Sequence, residues 1–364
     1  MRLSLQLRAW VCAVSLAASC AVTASAQKKS NTISVVASTV PANGDVNPYG
    51  IALVPKSTGS LVKGHILIGN FNSSANLQGT GTTIVQIAPD GTNTLFAQID
   101  ASSLPGPCPG GVGLSTALAV LSKGWVIVGS LPTTDGTAAT AGAGCLLVLD
   151  HNGNVVETFY GSLINGPWDM AAWDGGSSAD LFVSNVLDGT VAAGGKVVHN
   201  GNVVRLTLDI AKGTMPALQS ITVIASGFPQ RTDPAALVIG PTGLGLDANA
   251  DTLYVADSLS NRVAAIPLPL YRVSSAGIGA TVTQGGSLND PLGLTVGPGG
   301  NILTVNGNNG LLVETTPDGQ QFRTVLLDST GNPPGAGALF GLIDVSGVGV
   351  YYVDDASNTL NLLQ

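Results

Sequence analysis

A pattern of short strands and turns recurs along the 364-residue chain. It is clearest in GPTGLGLDANADTLYVADSLSNRVAAIPL (240–268), where a proline-glycine turn leads into a short strand, a β-branched and aromatic strand follows, and a polar loop precedes a third strand. A second copy at 290–327 adds the tight turn PDG and a fourth strand, QQFRTVLL. Four strands per unit are typical of the blades of a β-propeller.

Weaker copies bring the number of units to six, and each unit has one residue at the same place in its first strand: Gly50, Ala117, Asp169, Gly243, Gly293 and Gly341. The long intervals after Gly50 and after Asp169 indicate inserted loops. The sixth unit stops after three strands, and a spare strand, NTISVVAS (31–38), lies at the other end of the chain. Docked on the sixth unit, it would cover an exposed edge. We therefore predict an all-β, six-bladed β-propeller whose ring is closed by this N-terminal strand.

The first 26 residues have the composition of a signal peptide. Arg2 and Arg8 precede the apolar run AWVCAVSLAASCAV, and the segment ends in the small residues ASA. We expect residues 1–26 to be removed and residues 27–364 to form a single propeller domain. A lipid anchor at Cys20 is the alternative, but the bulky apolar residue usual three places before such a cysteine is missing. Either processing route exports the protein, to the periplasm or beyond the cell.

Charge and hydropathy restrict the partners. The formal net charge is −8, and losing Arg2 and Arg8 makes it more negative, which argues against nucleic acid and anionic membrane surfaces. The chain is 45% hydrophobic, yet no uninterrupted apolar run after residue 26 approaches the about 18 residues of a transmembrane segment. We expect a monomer whose partner is a small molecule, a glycan or a protein.

Two cysteines remain after residue 26. Cys108 precedes the first strand of the second unit, and Cys145 opens the third strand of that unit. In an oxidising compartment they form one possible disulfide, which would stabilise the glycine-rich loop between them by about 3 kcal/mol. A catalytic thiol is the competing interpretation, but no histidine lies close to either cysteine in sequence to generate a thiolate.

Candidate binding residues come from one face of the predicted ring. The turns leading into first strands and the loops leaving second strands surround the central channel there, where propellers usually bind ligands. The candidates at these positions are Tyr49, Asn70, Trp168, Asp169, Asn185, Asp257, Asn306 and Asp354. Further polar residues on this face are Asn47, Asn72, Ser130, Asp188, Asn261, Asp290, Asn308, Asp355 and Asn358.

The oxygen atoms of these side chains suit a hard cation such as calcium, which prefers six to eight oxygen ligands. The candidate metal ligands are Asp169, Asn185, Asp257 and Asp354. A structural role remains open for all of them, because Asp and Asn at strand ends commonly bond to the amides of their own turns. The polar segment NSSANLQGTGTT also allows two interpretations, a binding loop or a long hairpin, and we favour the hairpin.

The segment GPTGLGLDANADTLYVADSLSNRV is similar to the NHL-type repeat of six-bladed propellers. The shared pattern is a proline-glycine turn, an apolar strand ending in Ala-Asp, and an asparagine with a basic residue before the next strand. The match is good for 240–268 and 290–327 and partial elsewhere. The segments NPYGIALVP and NFNSSANLQGTGTTIVQIAPDG also resemble an uncharacterised family of exported bacterial propeller proteins. These resemblances imply a fold and a compartment, and they imply no activity.

Calcium-dependent lactonases of the gluconolactonase type are six-bladed relatives that use a glutamate with Asn and Asp ligands at the channel. Asp169 in GPWDM resembles a lactonase aspartate in position, but the glutamates, Glu157 and Glu314, fall in outer parts of blades. We find no intact catalytic set. The leading hypothesis is an exported, non-catalytic binding or scaffold module acting through its channel-face loops. The alternative is a divalent-metal-dependent, lactonase-like hydrolase of lactone or ester bonds.

Overall fold

The computed structural model describes residues 31–211, 215–234 and 236–364 and contains six antiparallel blades arranged in a ring. The strand nearest the N-terminus, β1 (Ile33–Ser38), belongs to the last blade. The first blade contains β2 (Val46–Leu53), β3 (Ile66–Asn72), β4 (Thr83–Ile87) and β5 (Asn93–Gln98). The second contains β6 (Leu114–Val120), β7 (Val126–Ser130), β8 (Cys145–Leu149) and β9 (Val155–Phe159). The third contains β10 (Pro167–Asp174), β11 (Ser178–Asn185), β12 (Val198–Asp209), β13 (Ala217–Asp233) and β14 (Leu237–Ile239).

The remaining three blades follow the same order. The fourth contains β15 (Pro241–Asp247), β16 (Thr252–Asp257), β17 (Arg262–Pro267) and β18 (Ala280–Gln284). The fifth contains β19 (Pro291–Val296), β20 (Ile302–Asn306), β21 (Leu311–Thr315) and β22 (Gln321–Leu326). The sixth contains β23 (Leu339–Val345), β24 (Gly349–Asp354) and β25 (Thr359–Leu363), with β1 outermost. Short 3-10 helices occupy Ala101–Ser103, Ala138–Thr140 and Ser258–Ser260.

The N-terminal strand closes the ring as predicted. β1 pairs antiparallel with β25, from Ile33 opposite Leu363 to Ser38 opposite Thr359. Just beyond the strand, the backbone N–H of Thr32 donates to the carbonyl of Gln364 at 3.1 Å, and Gln364 donates back at 2.9 Å. The sixth blade therefore has its fourth strand from the opposite end of the chain, and the prediction of a six-bladed, all-β propeller is confirmed.

Small residues let neighbouring blades approach closely around the channel. A Cβ built on Gly293 would lie 1.8 Å from the carbonyl oxygen of Phe340, and one on Gly341 would lie 2.3 Å from that of Tyr49. At Gly243 the nearest carbonyl oxygen would be 2.4 Å away. No real Cβ tolerates such distances, so the innermost strands need glycine there. This packing explains why glycine recurs at the equivalent positions of the repeats.

The core lies between the blades, where the strands are rich in buried Val, Leu and Ile side chains. A disulfide joins Cys108 to Cys145, which begins β8, with 5.2 Å between the two Cα atoms, so the predicted pairing is present. Within the described ranges, no helix is long and apolar enough to cross a membrane. The expected signal peptide and the alternative lipid anchor at Cys20 lie outside the described residues.

Candidate functional site

Several predicted ligand-binding side chains hold neighbouring loops together. The second strands end in Asn70, Asn185 and Asn306, or close to them, and all three are almost completely buried. The amide of Asn70 donates to the carbonyl of Thr39 at 3.1 Å, and that of Asn306 donates to the carbonyl of Ser287 at 2.8 Å. Asn185 makes only longer contacts, of 3.4 Å or more. The structure thus places these three amides beneath the channel face, in contact with the backbone.

Asp257 has a basic partner that the sequence analysis did not identify. Its Oδ2 accepts hydrogen bonds from Nε and Nη2 of Arg262 at 3.0 and 2.9 Å, and both side chains are buried. Burial raises the pKa of Asp257, while the hydrogen bonds and charge of Arg262 lower it. The available signal was the basic residue at the start of the third strand, directly opposite Asp257 in the register.

The sixth blade brings two carboxyl groups together. Oδ1 of Asp354 accepts a hydrogen bond from the backbone N–H of Ser357 at 3.2 Å. Burial raises the pKa of Asp354, and burial followed by the charge of Asp354 raises the pKa of Asp355 to about 7. Across the face, burial and then the charge of Asp233 raise the pKa of Asp290 to about 6.

The four candidate metal ligands make separate contacts. Asp257 bonds to Arg262, Asp354 to its own loop, and Asp169 accepts from the backbone N–H of Leu244 at 2.8 Å. No hydrogen bond joins any two of Asp169, Asn185, Asp257 and Asp354. The part of the chain that the structure describes contains no group of three or more His, Cys, Asp or Glu side chains placed to share a metal ion.

Stacked aromatic rings fill the channel mouth. The ring of Tyr49 stacks between Phe71 and Phe340, with centroid distances of 4.4 and 3.8 Å, and Trp168 lies 6.4 Å from Phe340. All four side chains are at most 2% exposed. We call these four residues the aromatic plug. Tyr49 and Trp168, two of the predicted ligand-binding residues of the channel face, pack within a hydrophobic core cluster.

A hairpin from the third blade covers this plug. β13 runs beyond the blade, and Arg231–Asp233 pairs with Leu237–Ile239. Nε1 of Trp168 donates to the carbonyl of Val238 at 3.1 Å, and the amide of Gln78, in the first blade, donates to the carbonyl of Pro234 at 3.0 Å. We call the paired segments the covering hairpin. The long interval after Asp169 predicted an inserted loop, and the hairpin is what occupies it.

A cleft remains open beside the plug, between loops of the first and sixth blades. It has a volume of about 480 Å³, within the roughly 300–1,000 Å³ of typical ligand sites. Its polar lining consists of Asn47, Asn72, Ser74, Asn76, Gln78, Asp355 and Asn358. We call it the amide cleft, since five of these seven side chains are carboxamides.

The backbone shows how the asparagines come to line this cleft. Asn47, Asn76 and Asn358 have positive φ angles of 59°, 56° and 54°, a conformation that asparagine tolerates better than most residues. Oδ1 of Asn358 accepts from the backbone N–H of Asn47 at 2.8 Å and so joins the two blades. The amide of Asn72 donates to Oδ1 of Asn76 at 2.7 Å. The wall is therefore built before any ligand binds.

Sequence reasoning assigned part of this cleft to the channel face. Asn47, Asn72, Asp355 and Asn358 were assigned to that face from their positions at strand ends, although none was chosen as a leading site residue. Ser74, Asn76 and Gln78 belong to NSSANLQGTGTT, which connects β3 to β4. That segment was interpreted as a hairpin connection, and its polar composition was the signal for the additional role.

The fold is similar to solved structures of low sequence identity. A gluconolactonase of Xanthomonas campestris aligns with a TM-score of 0.54 at 12% identity, covering 92% of this chain and 89% of that chain. The PQQ-bound aldose sugar dehydrogenase of Streptomyces coelicolor gives 0.55 at 14%, covering 92% and 99%. The calcium-binding protein regucalcin of Agrobacterium tumefaciens gives 0.54 at 13%, covering 90% and 92%. No protein-family model and no curated protein matches the chain. These similarities show the propeller fold alone.

Proposed function

We propose that the protein is a non-catalytic binding propeller whose amide cleft takes a small, neutral, polyhydroxylated ligand such as a sugar. The observation that carries this proposal is the concentration of carboxamides in the amide cleft. Each carboxamide offers both a donor and an acceptor, and so does each hydroxyl of a sugar. This shared hydrogen-bonding character supports a polyhydroxylated ligand.

The position of the cleft supports the proposal. A propeller ligand commonly sits at the channel mouth, but here the aromatic plug and the covering hairpin occupy that place. The amide cleft is offset toward the first and sixth blades, where Asn358 and Asn47 already hold the two walls together. A wall that is ordered in advance lowers the entropy cost of binding.

The metal-dependent hydrolase remains the competing function, and calcium is the ion to test. Solved structures named as a gluconolactonase and as calcium-binding regucalcin share the fold. In this chain Asp257 is committed to Arg262, and Asp354 bonds to its own loop. Those contacts do not suit a shared ion, so we derive no reaction step through one. Elemental analysis of the purified protein before and after chelation distinguishes the two functions.

The compartment belongs to the same proposal. The disulfide between Cys108 and Cys145 suits an oxidising environment, in agreement with the expected signal peptide. We propose that residues 27–364 act as one exported, monomeric domain in the periplasm or outside the cell. N-terminal sequencing of secreted protein, with Gln27 as the expected first residue, tests the processing site.

The binding test uses methyl glycosides of glucose, galactose and mannose as probes. Saturation-transfer NMR on the mature protein identifies any glycoside that binds, and titration gives its Kd. The variant is Asn47→Gly combined with Asn76→Gly, because glycine keeps the positive φ at both positions while removing both carboxamides. We expect affinity to fall at least tenfold.

Asn261→Gly is the matched control. Asn261 also has a positive φ, of 47°, and lies on the same face in the fourth blade, outside the cleft. We expect this variant to bind like the wild type. Absence of binding by all three glycosides, or equal affinity in the double variant, would refute the proposed ligand class.

A further inference from the structure

A second cavity lies in the central channel, below the aromatic plug. It has a volume of about 280 Å³ and is lined by the innermost strand of every blade. Most of its walls are aliphatic, with Leu118, Met170, Leu244, Leu294 and Leu342 among them. We call it the lower channel. Of the eight leading candidate binding residues, Asp169 lines this cavity. The lower channel and the amide cleft have no lining residue in common.

One residue of the lower channel departs from the repeat. Five blades carry Gly or Ala at the equivalent position of the innermost strand, and the third blade carries Asp169. Gly243 and Gly293 lie against the backbone of the next blade. Asp169 instead reaches the next blade with its carboxyl group, which accepts from the N–H of Leu244 at 2.8 Å. A carboxyl group at a repeat position where packing favours glycine indicates a functional role for that residue.

This carboxyl lacks a cationic partner in the described structure. Asp169 is 9% exposed, and none of the ion pairs formed by the described residues includes it. Burial raises its pKa to about 7, although the backbone amides of Leu244 and Met170 lower it. A buried carboxylate is costly unless a cation or several hydrogen bonds compensate it.

A hydroxyl group in the same cavity adds an acceptor. Thr116, in the second blade, is 4% exposed and lines the lower channel. Its Oγ1 is buried and has no hydrogen-bond partner among the described residues. Buried polar atoms usually have a partner, so this hydroxyl and the carboxyl of Asp169 together indicate a polar group that belongs in the channel.

The approach to the cavity is acidic. The lower channel shares Leu246 and Val296 with a cleft of about 690 Å³ between turns of the fourth and fifth blades. Asp247 and Asp344 line that cleft. Carboxylates along an access route raise the local concentration of cations.

We propose that the lower channel binds a small primary ammonium compound with a short aliphatic body. An ammonium group has three N–H donors. Their hydrogen bonds would be accepted by the carboxylate of Asp169, by the hydroxyl oxygen of Thr116 and by carbonyl oxygens on the free edges of the innermost strands. The aliphatic body would contact the leucine-rich walls. The site is separate from the amide cleft, so this inference does not depend on the proposed function.

The lining favours an organic cation over a metal ion. Calcium prefers six to eight oxygen ligands, and the described residues hold no cluster of acidic side chains placed for a metal. One carboxyl group, one free hydroxyl and aliphatic walls match a ligand that is charged at one end and apolar at the other.

The experiment measures the binding of n-butylammonium by isothermal titration calorimetry on the mature protein. The first variant is Asp169→Asn, which keeps the shape of the side chain and an acceptor for the N–H of Leu244. We expect at least tenfold weaker binding. n-Butanol, which lacks the charge, should bind weakly and equally to both proteins. Asp90→Asn changes the charge equally at an exposed turn and should bind like the wild type.

A second variant, Thr116→Val, covers the case in which Asp169→Asn does not fold. It removes only the unpartnered hydroxyl, and we expect a threefold or larger loss of affinity with the fold retained. The proposal is overturned if the wild type does not bind n-butylammonium, if Asp169→Asn binds it equally well, or if equimolar calcium displaces it. The glycoside titration of the amide cleft is unaffected by any of these outcomes.

Discussion

Two buried polar features are the most informative single-residue observations. Asp169 stands in a ring of glycine and alanine, and Asp257 and Arg262 form a buried ion pair within one blade. The guanidinium of Arg262 compensates the buried carboxylate of Asp257. Asp169 accepts a hydrogen bond from the N–H of Leu244 and has no cationic partner among the described residues. Such residues fix how adjacent strands and blades meet.

Asp169 should make stability depend on pH. Its pKa is about 7 in the folded protein against an ordinary value of 3.8, so the folded state binds the proton more tightly than the unfolded state. The contribution of this group is therefore fully present below about pH 4 and is lost as the pH rises toward 7, by at most about 1.4 kcal/mol per pH unit.

Urea unfolding from pH 4.5 to 7.5 measures this effect. In Asp169→Asn, we expect the free energy of unfolding to decrease less over this pH range than in the wild type, because the titrating carboxyl is absent. Asp90→Asn should show the same pH dependence as the wild type. Parallel pH profiles for wild type and Asp169→Asn would show that the carboxyl is ionised equally in both states.

At the scale of elements, the repeat could be predicted and the covering hairpin could not. Each blade depends on local alternation of turns and β-branched strands, so six units and the closing strand were visible in the sequence. β13 and β14 continue one blade across the channel, and their position depends on contacts with Trp168 and Gln78, which are distant in sequence. The local sequence pattern carries no information about contacts between residues that are distant in sequence.

The candidate site could likewise be predicted only in part from the sequence. Position at a strand end assigned Asn47, Asn72, Asp355 and Asn358 to the channel face, and all four line the amide cleft. It could not separate side chains that point into a cleft from those, such as Asn70 and Asn306, that bond to a loop behind them. That distinction depends on how loops from different blades pack together.

The covering hairpin should loosen when its bond to the plug is removed. Trp168→Phe keeps an aromatic ring against Phe340 but loses the donor to the carbonyl of Val238. We expect a loss of about 1 kcal/mol in stability and faster amide hydrogen exchange in Leu237–Ile239. Exchange in β25 serves as the internal reference and should not change. Equal acceleration in both segments would mean that the bond supports the whole fold and not the hairpin in particular.

At the scale of the whole molecule, the ring depends on a strand from the opposite end of the chain. Pairing between β1 and β25 joins residues near the two ends, and it covers an edge that would otherwise offer unpaired N–H and C=O groups. The closed ring in turn fixes the loops of the first and sixth blades, which form the amide cleft. Binding and closure should therefore be coupled.

A chain that begins at Pro41 tests this coupling. It lacks β1 and leaves the outer edge of β25 unpaired. We expect a lower Tm, a tendency to associate through the free edge, and weaker glycoside binding. A thermal melt measures the change in Tm, and size-exclusion chromatography measures the association. A monomer with the same Tm as the wild type would contradict the role assigned to β1.

Amide hydrogen exchange with and without the tightest-binding methyl glycoside shows whether the amide cleft is the binding site. We expect protection to be concentrated in residues 46–47, 72–78 and 355–358, which together with Gly337 line the cleft. Protection concentrated instead around β10 and β15, or no protection by a saturating glycoside, would show that the amide cleft is not the binding site.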